Sequence, residues 1–99
     1  MHRPERVMDP STVFRLRSDV RYRILFSEAV VIRQSNPEVL VLNEWGARML
    51  ELVASGITLG DLVDAMLEEY EVDREALQND VSIFLRELQE AGVVESLTE

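Results

Sequence analysis

The second half of the chain carries three helix starts and two helix stops, and these restrict the fold more than any other feature. Asn43 is placed to cap a first helix running to about Ala54, with Trp45, Met49, Leu52 and Val53 on its apolar side. An asparagine there accepts a hydrogen bond from a first-turn amide that has no partner within the helix. Gly56 stands where the chain must turn left-handed to leave that helix, with Leu52 and Ile57 spaced for the closing apolar contact. Thr58 and Asp61 have the spacing of a capping box, and Ile57 and Leu62 that of a hydrophobic staple. A second helix follows, with Leu59, Leu62, Val63, Met66, Leu67 and Tyr70 on one face. Asp73 caps a third, whose stripe is Leu77, Val81, Phe84, Leu85 and Leu88, and Gly92 ends it. Caps and 3.6-residue periodicity agree throughout, so three helices are expected.

The first half alternates with period two instead. Phe14 and Leu16 alternate with Arg15 and Arg17, and Tyr22, Ile24 and Phe26 alternate with Arg21 and Arg23. Val30-Val31-Ile32 and Val39-Leu40-Val41-Leu42 are short apolar runs divided by Gln34-Ser35-Asn36-Pro37, which is good turn chemistry. Residues 1–12 hold Pro4 and Pro10 without periodicity and are expected to be a flexible tail before one domain over 13–99. The order of strands, three helices and a short extended end at Val93-Val94 predicts an α+β, winged helix-turn-helix-like fold.

Charge narrows the function classes. The net charge is −9, and it is unevenly spread: residues 1–33 carry seven arginines against four acids, residues 34–99 three arginines against fifteen acids. Such a body repels phosphate backbones, so nucleic acid is not an expected partner. No apolar run exceeds four residues, so no membrane span is expected and a cytoplasmic location follows by default.

Catalytic chemistry finds no footing. Cysteine is absent and the one histidine, His2, lies in the expected tail. The four glycines are scattered, so there is no phosphate loop. Asp61, Asp64, Glu68 and Glu71 share one arc of the second helix opposite its apolar face, which is how a solvated helix face looks. A hard cation wants six or more oxygens converging from loops. No metal, no cofactor and no enzymatic activity are therefore expected. Trp45 and Phe14, Tyr22, Phe26, Tyr70 and Phe84 all stand at apolar-face positions and are expected in the core.

Three features are left over. Val39-Leu40-Val41-Leu42 is apolar on both sides: either a central strand covered twice, or a strand whose edge is covered only by an incoming chain. Ile83 lies off the stripe of the third helix, on an arc with Ala76, Asn79, Asp80 and Glu87, where it could floor a groove. Finally, a hairpin of Val13–Arg17 with Arg21–Phe26 would set Arg17 opposite Arg21 and Arg15 opposite Arg23, an unfavourable pairing of like charges. Relief would come from the acidic helices, from solvent, or from an acidic patch on a partner.

Several of these residues together resemble a known family, the PqqD-like proteins. Leu42-Asn43-Glu44, Ala47, Leu50 and Gly56 look like its pattern through the first helix, continued by Thr58, Leu62, Leu67 and Tyr70. Asp80-Val81, Phe84-Leu85, Leu88 and Gly92-Val93-Val94 look like its ending. The resemblance spans roughly residues 20–96; Arg33-Gln34-Ser35-Asn36-Pro37 stands where many relatives carry a glycine-containing turn.

The resemblance implies a three-stranded antiparallel sheet followed by three helices. It also implies a non-catalytic recognition element for ribosomally made, post-translationally modified peptides, which hands a precursor peptide to a modifying enzyme. In the founding members this is the precursor of pyrroloquinoline quinone and a radical S-adenosylmethionine enzyme. The implied peptide site is Val39, Leu40, Val41 and Leu42 facing Ala76, Asn79, Asp80, Ile83, Arg86 and Glu87. Two other readings compete. One is a winged-helix DNA regulator, which the two arginines and four acids of residues 74–91 disfavour. The other is an adaptor that self-associates, for instance as a homodimer, through its open strand.

Overall fold

Alternating residues build two antiparallel sheets here. In a computed structural model, which describes residues 9–97, the elements are β1 (Val13–Leu16), β2 (Val20–Leu25), β3 (Glu28–Arg33), β4 (Asn36–Leu42), α1 (Glu44–Val53), β5 (Ile57–Thr58), α2 (Leu59–Glu69), α3 (Arg74–Glu90) and β6 (Val94–Ser96). One sheet has the order β5-β1-β6 and the other β2-β3-β4. The fold is α+β, with three consecutive antiparallel strands ahead of the helices, as expected.

β1 does not pair with β2. Its partners are β5 and β6, with Arg15 opposite Glu95 and Leu16 opposite Val94. The expected facing arginines therefore do not occur. Arg15 Nε donates to Glu95 at 2.8 Å, and Arg17 lies 3.7 Å from Glu95 and 3.8 Å from Asp19. Like charges opposite one another would have destabilised the local hairpin. Pairing with the chain's far end places a carboxylate there instead. The chain crosses between sheets at residues 17–20, where the Val20 amide donates to the Arg17 carbonyl.

Each helix begins on its expected cap. The Asn43 side chain accepts from the Gly46 amide at 2.9 Å, Thr58 from Asp61 at 3.0 Å and Asp73 from Ala76 at 3.2 Å. α3 ends with Gly92 at φ +79°; the Gly92 amide donates to Gln89 and the Val93 amide to Leu88. These two bonds make the paired closure of a Schellman stop.

The core lies between the helices and the inner faces of both sheets. Phe14, Met49, Leu50, Leu59, Leu62, Met66 and Leu85 are fully buried there. Each stabilises the fold by about 1.5–3 kcal/mol relative to exposure. Trp45 and Phe84 meet edge to face, centroids 5.5 Å apart, over Gly46, where any Cβ would come within 2.9 Å of the Phe84 ring.

Two expectations need correction. Phe26 is fully exposed, because the β2–β3 turn breaks the strand's alternation one residue after Leu25. Residues 9–12, read as part of a tail, are tied down: Leu59 and Gly60 donate to the Thr12 and Pro10 carbonyls at 2.9 Å. His2 lies outside the described residues.

Candidate functional site

β4 is the outermost strand of its sheet, and among the described residues no strand pairs with its other side. An edge of this kind presents a row of unpaired amides and carbonyls. Register decides where its side chains go. Leu40 and Leu42 stand opposite Val31 and Ala29 on the inner face, while Val39 and Val41 stand opposite Ile32 and Val30 on the outer one. Val39 and Val41 are 58% and 57% exposed, and Leu40 is about a third exposed. Leu42 is 7% exposed and belongs to the core, so only its backbone can meet a partner.

Beside that edge is a recess of about 80 Å³, lined by Val31, Arg33, Glu38, Val39, Leu40, Ala91 and Val93. With roughly 30 Å³ per water in the liquid, it has room for one small side chain. Its floor depends on Arg33. One guanidinium nitrogen donates to the Ala91 carbonyl at 2.8 Å, at the end of α3, where a cation complements the helix dipole. Another lies 3.4 Å from Ser35 Oγ, a long contact, and the Ser35 hydroxyl donates to Asp19 at 2.6 Å. The Ser35 hydroxyl, then the Arg17 and Arg33 charges, hold the Asp19 carboxyl below its ordinary range. Gly92 passes so close that a Cβ would lie 2.6 Å from the guanidinium carbon.

The expected helix arc does not line this recess. Ala76, Asn79, Asp80, Ile83 and Glu87 are exposed and Arg86 is half-buried, but none of the six lines it. Ala91 and Val93, just beyond α3, do so instead. Sequence reading missed Arg33 and Ala91; the only local hint was Gly92, whose left-handed turn brings that backbone onto the arginine.

A second, wider recess of about 330 Å³ opens at the β2–β3 turn, between Ile24, Phe26, Ser27, Glu44, Ala47, Arg48, Glu51, Glu69 and Tyr70. Arg48 donates to both Glu69 oxygens at 2.7–2.9 Å and to Glu51 at 3.2 Å. These bonds from Arg48 lower the Glu69 carboxyl and push the guanidinium further up. Among the described residues no cluster of three or more His, Asp or Glu side chains is placed to hold a metal ion, and no helix is long and apolar enough to cross a membrane.

Comparison with known proteins gives a consistent picture. The family model of coenzyme PQQ synthesis protein D (PqqD) matches residues 28–94. Two solved structures share the fold. TbiB1, in complex with the TbiA(beta) leader peptide, has a TM-score of 0.79 and 26% identity over 86% of this chain and 99% of that one. A lasso peptide synthetase B1 complexed with the leader peptide has a TM-score of 0.74 and 24% identity over 83% of this chain and 96% of that one. No curated protein matches the sequence significantly.

Proposed function

Because the chain belongs to the PqqD family, we propose that it binds the leader segment of a ribosomally synthesised precursor peptide and presents it to a modifying enzyme, without bond chemistry of its own. The observation that carries this reading is the unpaired edge of β4 with Val39, Leu40 and Val41 exposed beside the recess. An extended peptide laid antiparallel or parallel to β4 gains main-chain hydrogen bonds, and one of its side chains fills the recess toward Leu40 and Val93. Leader-bound TbiB1 supports the class of cargo, since it is 26% identical along nearly its whole length. The peptide contacts proposed are Val39, Leu40, Val41 and the Leu42 backbone. The outward arc of α3 (Ala76, Asn79, Asp80, Ile83, Arg86 and Glu87) forms the outer wall.

A backbone-amide NMR titration with synthetic leader peptides, beginning with that of TbiA(beta), tests the reading. Shifts are expected to concentrate in β4, in Arg33 and over the second half of α3 to Val93. Binding that moves only the β2–β3 turn, or no binding by any leader tried, would sink it.

A further inference from the structure

Among the described residues, six of the nine exposed large apolar side chains (Leu25, Phe26, Ile32, Val39, Leu40 and Val41) belong to the β2-β3-β4 sheet or its turn. Exposed apolar groups gathered on one face mark a contact surface more often than the same number scattered. Register sets three of them, Ile32, Val39 and Val41, together on the outer face, while Leu40 lies on the inner one. Arg21 pairs with Ile32, and Ile32 with Val39; Arg23 pairs with Val30, and Val30 with Val41. Two adjacent rungs on the outer face therefore each run arginine, β-branched residue, valine across the three strands. The inner face of the same strands holds Tyr22, Ile24, Ala29 and Val31 against the core.

Among the described residues the arginines of these rungs have no carboxylate partner. Arg21 donates only to the Ser18 and Val20 carbonyls, at 3.1 and 3.0 Å, and among the described residues neither Arg21 nor Arg23 makes an ion pair. Arg15 and Arg74 each make one, and Arg17 and Arg48 two apiece. In a chain of net charge −9, two cations left unneutralised beside an aliphatic strip stand out.

We infer that this outer sheet face is a second docking surface, and that its occupant is a protein whose contact patch sets Asp or Glu side chains beside aliphatic ones. Charge complementarity selects that chemistry: carboxylates meet the Arg21–Arg23 column and aliphatic groups meet Val30, Ile32, Val39 and Val41. A second copy fits poorly, since packing this face on its own image sets arginines over valines or over arginines. A nucleic acid fits poorly too, because two arginines without an aromatic platform must hold a polyanion against the acidic body. The inference does not rest on leader binding. The two sites share Val39 and Val41 at the β4 edge, but a leader lies along that edge, whereas this surface extends over Val30 and Ile32 of the middle strand β3 to Arg21 and Arg23 of β2.

Phage-displayed random peptides panned on the full chain supply the probe. Enriched sequences are synthesised and their affinities compared on wild type, on Arg21→Glu/Arg23→Glu and on Ile32→Thr, with each variant's fold checked by its NMR spectrum. A class of peptides combining Asp or Glu with Val, Ile or Leu is expected, losing about tenfold or more in affinity on both variants and weakening with salt. Ile32 separates the two surfaces, because a peptide held at the β4 edge does not touch it. The inference is overturned if no such class emerges, or if these peptides bind the arginine variant as tightly as wild type. It is equally overturned if a mixed-sequence RNA takes the face, or if sedimentation shows a homodimer that the arginine changes dissolve.

Discussion

At Gly92 the backbone turns through φ +79° while the Arg33 guanidinium lies where a side chain would begin. Glycine is needed there twice over, once for the conformation and once for the space. A Cβ could be accommodated by moving the guanidinium, but that move breaks its bond to the Ala91 carbonyl. Gly92→Ala is thus expected to lower the unfolding free energy by roughly 1–3 kcal/mol, read by urea denaturation. In an Arg33→Ala background the steric part vanishes and the cost should fall to about 1 kcal/mol, that of the left-handed alanine alone. Equal costs in both backgrounds would show that the close approach is unimportant. The same pair shows what a sequence reveals at this scale. Asn43, Thr58, Asp73 and Gly92 were legible because a cap or a stop is decided within four residues. Arg33 was not, because its acceptor lies 58 residues along the chain.

Among the elements, the β2–β3 turn departs furthest from its local chemistry. Leu25 pairs with Glu28, leaving Phe26 and Ser27 as a two-residue loop, and Phe26 takes φ +61° at the position where such turns favour glycine or asparagine. A left-handed phenylalanine costs about 1–2 kcal/mol and, being fully exposed, recovers none of it by burial. Phe26→Asn is accordingly expected to raise stability by roughly 0.5 kcal/mol or more, measured as a higher Tm. An unchanged or lower Tm would mean that the ring makes a stabilising contact with the recess it borders. No glycine, asparagine or aspartate announced this turn, which is why Phe26 passed for a core residue. The helices were legible because period and caps agree, whereas strand pairing was not: β1 closes on β6, with Arg15 and Glu95 80 residues apart. For the site, the unbroken apolar run of β4 left a doubly covered strand and an open edge both standing, and pairing beyond reach of local signals decides for the edge. The recess beside it is lined by Ala91 and Val93, just past α3, which periodicity along the helix could not single out.

For the molecule as a whole, nineteen acids against ten arginines make acid the solvent condition that changes most, with net charge passing through zero near pH 4.5. Asp9, Asp19 and Glu69 are held below their ordinary values, by Ser11, by Ser35 and by Arg48 respectively. Lowered folded values mean that in mild acid the unfolded chain binds more protons than the folded one, so acid favours unfolding. The stabilisation is complete above the ordinary values of 3.8 for Asp and 4.5 for Glu, and is lost as pH falls through the lower folded ones. Denaturation in urea should therefore show a plateau near neutrality and a decline below about pH 4, at protein concentrations low enough to avoid isoelectric association. Glu69→Gln separates this pair from the general effect. It should destabilise the protein at neutral pH by no more than the roughly 0–1 kcal/mol of an exposed ion pair. Wild type and variant should then converge in acid, where Glu69 is protonated and Arg48 faces no charge in either protein. A deficit that stays constant down to about pH 3 would mean that Glu69 contributes through packing or neutral hydrogen bonding, and that its lowered carboxyl has no part in acid unfolding.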